Sequence, residues 1–204
     1  VCFVTVSKRL CTELERRYRE VEAIGRVILP PCQFFTLNIM LNTLSTMTGQ
    51  PIATCTFEQY VFSRSSRVAL TVDLVLLQNE VGGVISGSLE AALNRRPLKR
   101  EEYMESIRSN ISRDQHGTAM RKAVFDEFEH YCSWKQENNQ IDIQDQILNL
   151  LHHIPEEAAL FDAAYLDEVQ DFSYASIFLI CKVAGRSNSN WIMAGDTAQM
   201  ISVG

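Results

Sequence analysis

Ala163-Ala164-Tyr165-Leu166 runs directly into Asp167-Glu168-Val169-Gln170-Asp171. The first four residues form a short apolar run that reads as a β-strand. Carboxylates follow at its carboxyl end, where open α/β sheets receive their ligands. Two adjacent carboxylates there can divide a task. One holds Mg²⁺, directly or through water, while the other orients a water for attack on a phosphate. Taken alone, the same residues also read as a strand followed by a helix whose first-turn acids oppose the helix dipole, and on its own that is the commoner arrangement.

A second cluster changes the balance. Trp191-Ile192-Met193-Ala194 reads as another strand and ends in Gly195-Asp196-Thr197-Ala198-Gln199-Met200-Ile201. Residues 172–183, between the two strands, carry a helical pattern. Strand–helix–strand order with short loops implies parallel pairing and right-handed crossovers. The two carboxyl ends then lie side by side, and Asp196 and Gln199 can face one crevice with the first cluster. A neutral amide suits hydrogen bonding to a phosphate oxygen or an attacking water without adding negative charge. Asp196 alone also reads as a turn residue capping a helix. Two strand-terminal polar clusters one βαβ unit apart are far rarer by chance.

Working outward, residues 1–6 read as a strand, and Ser7 caps a helix whose apolar positions include Leu10, Leu14 and Val21. Pro30-Pro31 ends that unit. Residues 34–46 read as an amphipathic helix, residues 52–55 as a second strand, and Thr56 as the N-cap of a helix over Phe-Glu-Gln-Tyr-Val-Phe. From residue 68 to 154 the period is helical and no strand is expected. The chain thus divides into residues 1–67 and 155–204, which together build an α/β sheet, and an α-helical insertion over residues 68–154.

Of 204 residues, 46% are hydrophobic and 22% charged, ordinary globular usage that excludes disorder and fibrous repeats. Nineteen Lys+Arg against 25 Asp+Glu give a net charge of −6, which argues against a wholly basic nucleic-acid coat. No apolar run is long enough to span a bilayer, so no membrane partner is expected. The six cysteines stand singly, without metal-ligand spacing, and read as reduced thiols in an intracellular protein. The basic run Arg95-Arg96-Pro97-Leu98-Lys99-Arg100 could meet a duplex, but such runs are more often solvated loops.

The two strand-end motifs resemble those of the superfamily 1 helicases of the UvrD/Rep type. The second motif of that family is an apolar strand plus D-E-x-Q-D, matched at Asp167, Glu168, Gln170 and Asp171. Its third is G-D-x-x-Q-x-I, matched at Gly195, Asp196, Gln199 and Ile201. Residues 3–10 are similar to the strand and Ser/Thr segment that touches single-stranded DNA, and residues 55–60 to the following G-T-F-H-S segment. Residues 135–147 are similar to the stretch that returns the chain from an inserted subdomain. The wording Gly-Asp-Thr-Ala-Gln-Met-Ile-Ser is closest to the large tetratricopeptide and ankyrin repeat-containing proteins that carry a UvrD-like helicase region.

The resemblance implies a RecA-like P-loop NTPase sheet and a helicase or ATPase using ATP and Mg²⁺. Asp167 would hold the metal, Glu168 would activate the hydrolytic water, and Gln199 would sense the γ-phosphate. Gln170 and Asp171 would couple the nucleotide to nucleic acid, and with Asp167 and Asp196 they would form the cofactor-binding set. Thr5, Ser7 and Thr56 would hydrogen-bond the phosphates of a single strand, DNA before RNA; Ser7 and Thr56 read equally well as plain helix caps.

The sequence also departs from the family. No GxxxxGK[ST] phosphate loop occurs: Gly82 and Gly87 have the glycine spacing, but Ser88 stands where the lysine belongs. That loop is expected upstream of residue 1 and the second motor domain beyond residue 204, both in a longer parent chain. The 204 residues alone are then expected to be inactive towards ATP and, lacking a sheet neighbour, poorly stable. Glu58 replaces the usual histidine and Ser202 a base-stacking aromatic, both unfavourable for strand binding. The alternative is a catalytically weak helicase-like fold serving as a scaffold or nucleotide switch. A metal-dependent nuclease built on Asp167, Glu168 and Asp171 would leave Gln199 unexplained.

Overall fold

A computed structural model describes residues 1–25, 28–64, 72–155, 158–184 and 191–196. Its sheet has four parallel strands: β1 (Cys2–Thr5), β2 (Gln33–Thr36), β3 (Ala164–Leu166) and β4 (Trp191–Met193), in the order β2-β1-β3-β4. In register, Val4 lies beside Leu166 and Leu166 beside Met193. The strands β1 and β3, far apart in sequence, therefore meet in mid-sheet, and among the described residues the chain between them carries β2 and a series of helices. This is the α/β class with parallel strands expected from the sequence.

The helix α1 (Lys8–Ile24) starts where expected, with the Ser7 hydroxyl accepting the Leu10 N–H at 3.2 Å, and ends at Gly25 in the left-handed conformation. The segment expected to be helical from residue 34 begins instead as β2, with α2 (Leu37–Thr48) following at once. Phe34 and Phe35 are aromatic strand formers and pair with Phe3 and Val4. Thr36 closes the strand and caps the helix, its hydroxyl accepting the Ile39 N–H at 3.3 Å.

Residues 52–55 are not a strand. The Thr54 and Cys55 amides both reach the Ile141 carbonyl, at 2.9 and 3.2 Å, so this segment satisfies its polar groups away from the sheet. Thr56 does cap α3 (Phe57–Arg64): its hydroxyl accepts from Gln59 N at 3.4 Å, while Gln59 Oε1 accepts from Thr56 N at 2.9 Å.

In the insertion, α4 (Leu74–Asn79) widens into a π-helix over Glu80–Ile85, followed by α5 (Leu89–Asn94), α6 (Arg100–Glu105) and the long α7 (Gln115–Glu137). Glu80 is fully buried. Its carboxylate accepts from the Tyr103 hydroxyl at 2.7 Å and the Asn110 N–H at 2.9 Å, which compensates burial of the charge. Arg121, also buried, gives its guanidinium to the carbonyls of Ile111, Tyr103, Met104 and Ser106. The basic run is tied to acids on its own surface: Arg96 to Glu102, and Arg100 to Asp126 and Glu129.

The last helix before the return to the sheet, α8 (Ile143–His153), packs against α2 and against α9 (Tyr174–Val183). Gln146 fixes it there, donating to Ser45 Oγ at 2.9 Å and Asn42 Oδ1 at 3.2 Å and accepting from Ala53 N at 3.2 Å. The end of the 68–154 span thus belongs with the helices that cover the sheet. Cys2, Val4, Phe35, Ala164 and Leu166 are the buried apolar strand residues, in one core with α2, α8 and α9. The other face carries a row in register, Phe34, Phe3, Tyr165 and Ile192. Tyr18 of α1 packs edge-on against Phe34 at 5.4 Å, whereas Tyr165 and Ile192 are exposed. No helix among the described residues is long and apolar enough to cross a membrane.

Candidate functional site

Past Leu166 the Asp167 amide still reaches the Val4 carbonyl, at 3.0 Å, so its carboxylate leaves the sheet at the carboxyl end of β3. Glu168 then turns through the left-handed region, φ +56° and ψ +44°, and Val169–Asp171 form one 3₁₀ turn. A non-glycine residue there carries about 1 kcal/mol of backbone strain. The helix α9 begins only at Tyr174, capped by Ser173, and has no acid in its first turn. Acids placed merely to oppose that helix's dipole are therefore not what this segment provides.

The end of β4 is stitched to this turn. The Ala194 N–H reaches the Leu166 carbonyl at 2.8 Å, and the Val169 N–H reaches the Ala194 carbonyl at 3.1 Å. Gln170 closes the corner in both directions: its Nε2 donates to the Glu168 carboxylate and its Oε1 accepts the Asp196 N–H at 3.2 Å. Gly195 lies so close that a Cβ there would stand 2.6 Å from Gln170 Oε1 and 2.7 Å from Val169 Cγ2. The two motifs thus share one corner, where Glu168, Gln170 and the Asp196 backbone are linked. Gln199, Ile201 and Ser202 lie outside the described residues.

Asp167 and Glu168 present hard oxygen donors of the kind Mg²⁺ takes. They are two adjacent carboxylates; no group of three or more His, Cys, Asp or Glu suited to a metal occurs among the described residues. A site of two carboxylates fits an ion that keeps most of its water, as Mg²⁺ does.

The three hydroxyls proposed to meet a nucleic-acid strand are not equivalent. Thr5 is fully buried and its hydroxyl accepts the Ser7 N–H at 3.2 Å, while Ser7 is spent on the cap of α1. Thr56 alone is exposed. It stands on the wall of a cleft of about 1050 Å³ that also takes in Gln170 and Asp171. Asp167, Glu168, Thr5 and Ser7 do not line it.

One wall of the cleft is the segment around Thr56, another the π-helix, a third the turn into α9. Glu58 projects from the first. Its carboxyl is held below the usual carboxylate range by the Thr56 hydroxyl, its own N–H and the Gln78 amide, the last at 2.7 Å. Arg108 is paired with Glu90 at 3.1 Å and lies over the Tyr174 ring at 4.6 Å. Behind the cleft, Lys135 bridges Asp142 at 2.8 Å and Asp145 at 2.5 Å. Burial lowers its affinity for the proton, yet the two carboxylates outweigh this and leave it above the ordinary lysine value.

Sequence reasoning missed this cleft. Its lining comes from separate stretches of chain, with amides from Asn38 to Gln170 that no local pattern groups together. No known family matches the chain, and no curated protein matches it as a relative.

Proposed function

We propose that the β3–β4 corner is the phosphate-handling site of a Mg²⁺-dependent ATPase domain. In a longer parent chain its turnover would drive movement along, or unwinding of, nucleic acid, as in the UvrD/Rep-type helicases it resembles. The observation that carries this reading is the Gln170 link, which joins the Asp-Glu turn after β3 to the Gly-Asp turn after β4 at the carboxyl ends of parallel strands. Mg²⁺, held by Asp167, would supply charge neutralisation at the transferred phosphoryl group. Glu168 orients the attacking water, and its left-handed backbone turns the carboxylate towards Gln170 rather than along the strand. Gln170 fixes that carboxylate and registers the position of the Asp196 loop. Gln199, three residues further along the sequence, would contact the γ-phosphate. Catalysis of this kind rests on positioning and electrostatics, without a covalent enzyme intermediate.

The test is ATP hydrolysis by a longer chain that includes a phosphate-binding loop, with and without oligothymidylate, beside its Glu168→Gln variant. Stimulation by the oligonucleotide and a loss of about a hundredfold or more in the variant are expected. Turnover indifferent to Glu168 would overturn the assignment. A second reading, a scaffold or nucleotide switch, is favoured by one observation: Thr5, a proposed strand contact, is fully buried. Nucleotide binding with no turnover, equal in both proteins, would establish it.

A further inference from the structure

The cleft beside the corner has a charge and a lining that suit a different kind of partner. Its ionisable carboxylates and cation among the described residues are Glu58, Asp142, Asp171 and Arg108. Arg108 is answered by Glu90 and Asp142 by Lys135. Glu58 and Asp171 remain, both exposed, and no cation among the described residues pairs with either. A polyphosphate backbone entering here meets net negative charge and gains no counterion-release drive.

What the walls offer is neutral amide. Asn38 and Asn79 each pair a donor with an acceptor, and Gln59 and Gln144, whose oxygens take the Thr56 N–H and the Ser173 hydroxyl, add their NH₂ donors; together they complement a peptide backbone with its alternating N–H and C=O groups. Phe57, Val84 and Phe172 give the cleft buried apolar surface, and Ile107 is 84% exposed at its rim. At about 1050 Å³ the space exceeds an ordinary small-molecule pocket and takes several residues of an extended chain. We infer that the cleft is a docking groove for an extended polypeptide segment carrying lysine or arginine, whose cations meet Glu58 and Asp171 and whose backbone meets the amide walls. This does not depend on whether the β3–β4 corner turns over ATP.

The experiment is selection of a randomised dodecapeptide phage library on the 204-residue chain, with the Glu58→Arg, Asp171→Arg double variant as counter-target. The leading peptide is then titrated by fluorescence anisotropy without nucleotide, beside oligothymidylate. Both positions are exposed, and circular dichroism checks that the variant keeps its fold. Expected are clones rich in Lys or Arg and an affinity lower by about tenfold in the double variant. The neutral pair Glu58→Gln, Asp171→Asn should lie between, and oligothymidylate should not displace the peptide. Absence of enriched clones, clones that bind the double variant equally well, or displacement by oligothymidylate would each overturn the proposal.

Discussion

Glu168 occupies a backbone conformation that glycine would adopt freely, and it does so at the one turn that joins both motifs. Strain of this kind persists where the surroundings hold it, here the Gln170 amide on its carboxylate and the Val169 N–H on Ala194. Glu168→Gly should therefore leave stability unchanged or raise it by up to about 1 kcal/mol, although it removes the carboxylate. Glu168→Val, β-branched, should cost about 1–2 kcal/mol. Urea midpoints of the two variants decide it: equal losses would mean that the turn carries no strain. The acids and Gln170 were legible in the sequence as a motif. The left-handed turn was not, because nothing in Asp-Glu-Val-Gln-Asp requires φ to be positive; the strand register on either side imposes it.

At the scale of elements, short apolar runs bounded by polar turns gave β1, β3 and β4 to within a residue or two. The strand β2 escaped because Phe34 and Phe35 run into Leu37 and Met40 with no glycine or proline between, so a helical period could be read through the junction. The π-helix was equally hidden. It depends on Glu80 finding Tyr103 and Asn110, which lie 23 and 30 residues away. Just past it Gly87 serves close packing: a Cβ there would stand 2.1 Å from the Gly82 carbonyl oxygen, and the Gly87 carbonyl accepts the Ala175 N–H from α9. Gly87→Ala should thus lower stability by about 2–3 kcal/mol, measured by urea unfolding. Gly83→Ala, with open space around it, should cost under about 1 kcal/mol.

Also at this scale, Lys135 joins α7 to the start of α8 through Asp142 and Asp145. Lys135→Met leaves two half-buried carboxylates without their cation and should cost about 3–5 kcal/mol at pH 8. Because the folded protein holds this lysine's proton more tightly than the unfolded chain, the contribution is complete below the ordinary lysine value of 10.5. It is lost as pH rises through the folded value. The gap between wild type and Lys135→Met in urea midpoint should accordingly be constant from pH 8 to 10 and shrink above 10.5. A gap that widened there would contradict the assignment.

For the whole molecule, one pairing has a consequence in time rather than in energy. The strand β1 acquires its neighbour β3 only when Cys2 meets Ala164, with the entire helical insertion already spanning the distance between them. Closing a loop of that length costs entropy before any sheet contact rewards it. The insertion's contacts, such as Arg121 with the carbonyls of Tyr103 and Ile111, are local by comparison and can form first. During synthesis β1, which ends beside the turn that will carry Asp167, must wait until Ala164–Leu166 has emerged before mid-sheet pairing begins. Refolding should therefore be biphasic, with helix signal regained early and burial of Trp191 at the sheet edge reporting the slow step.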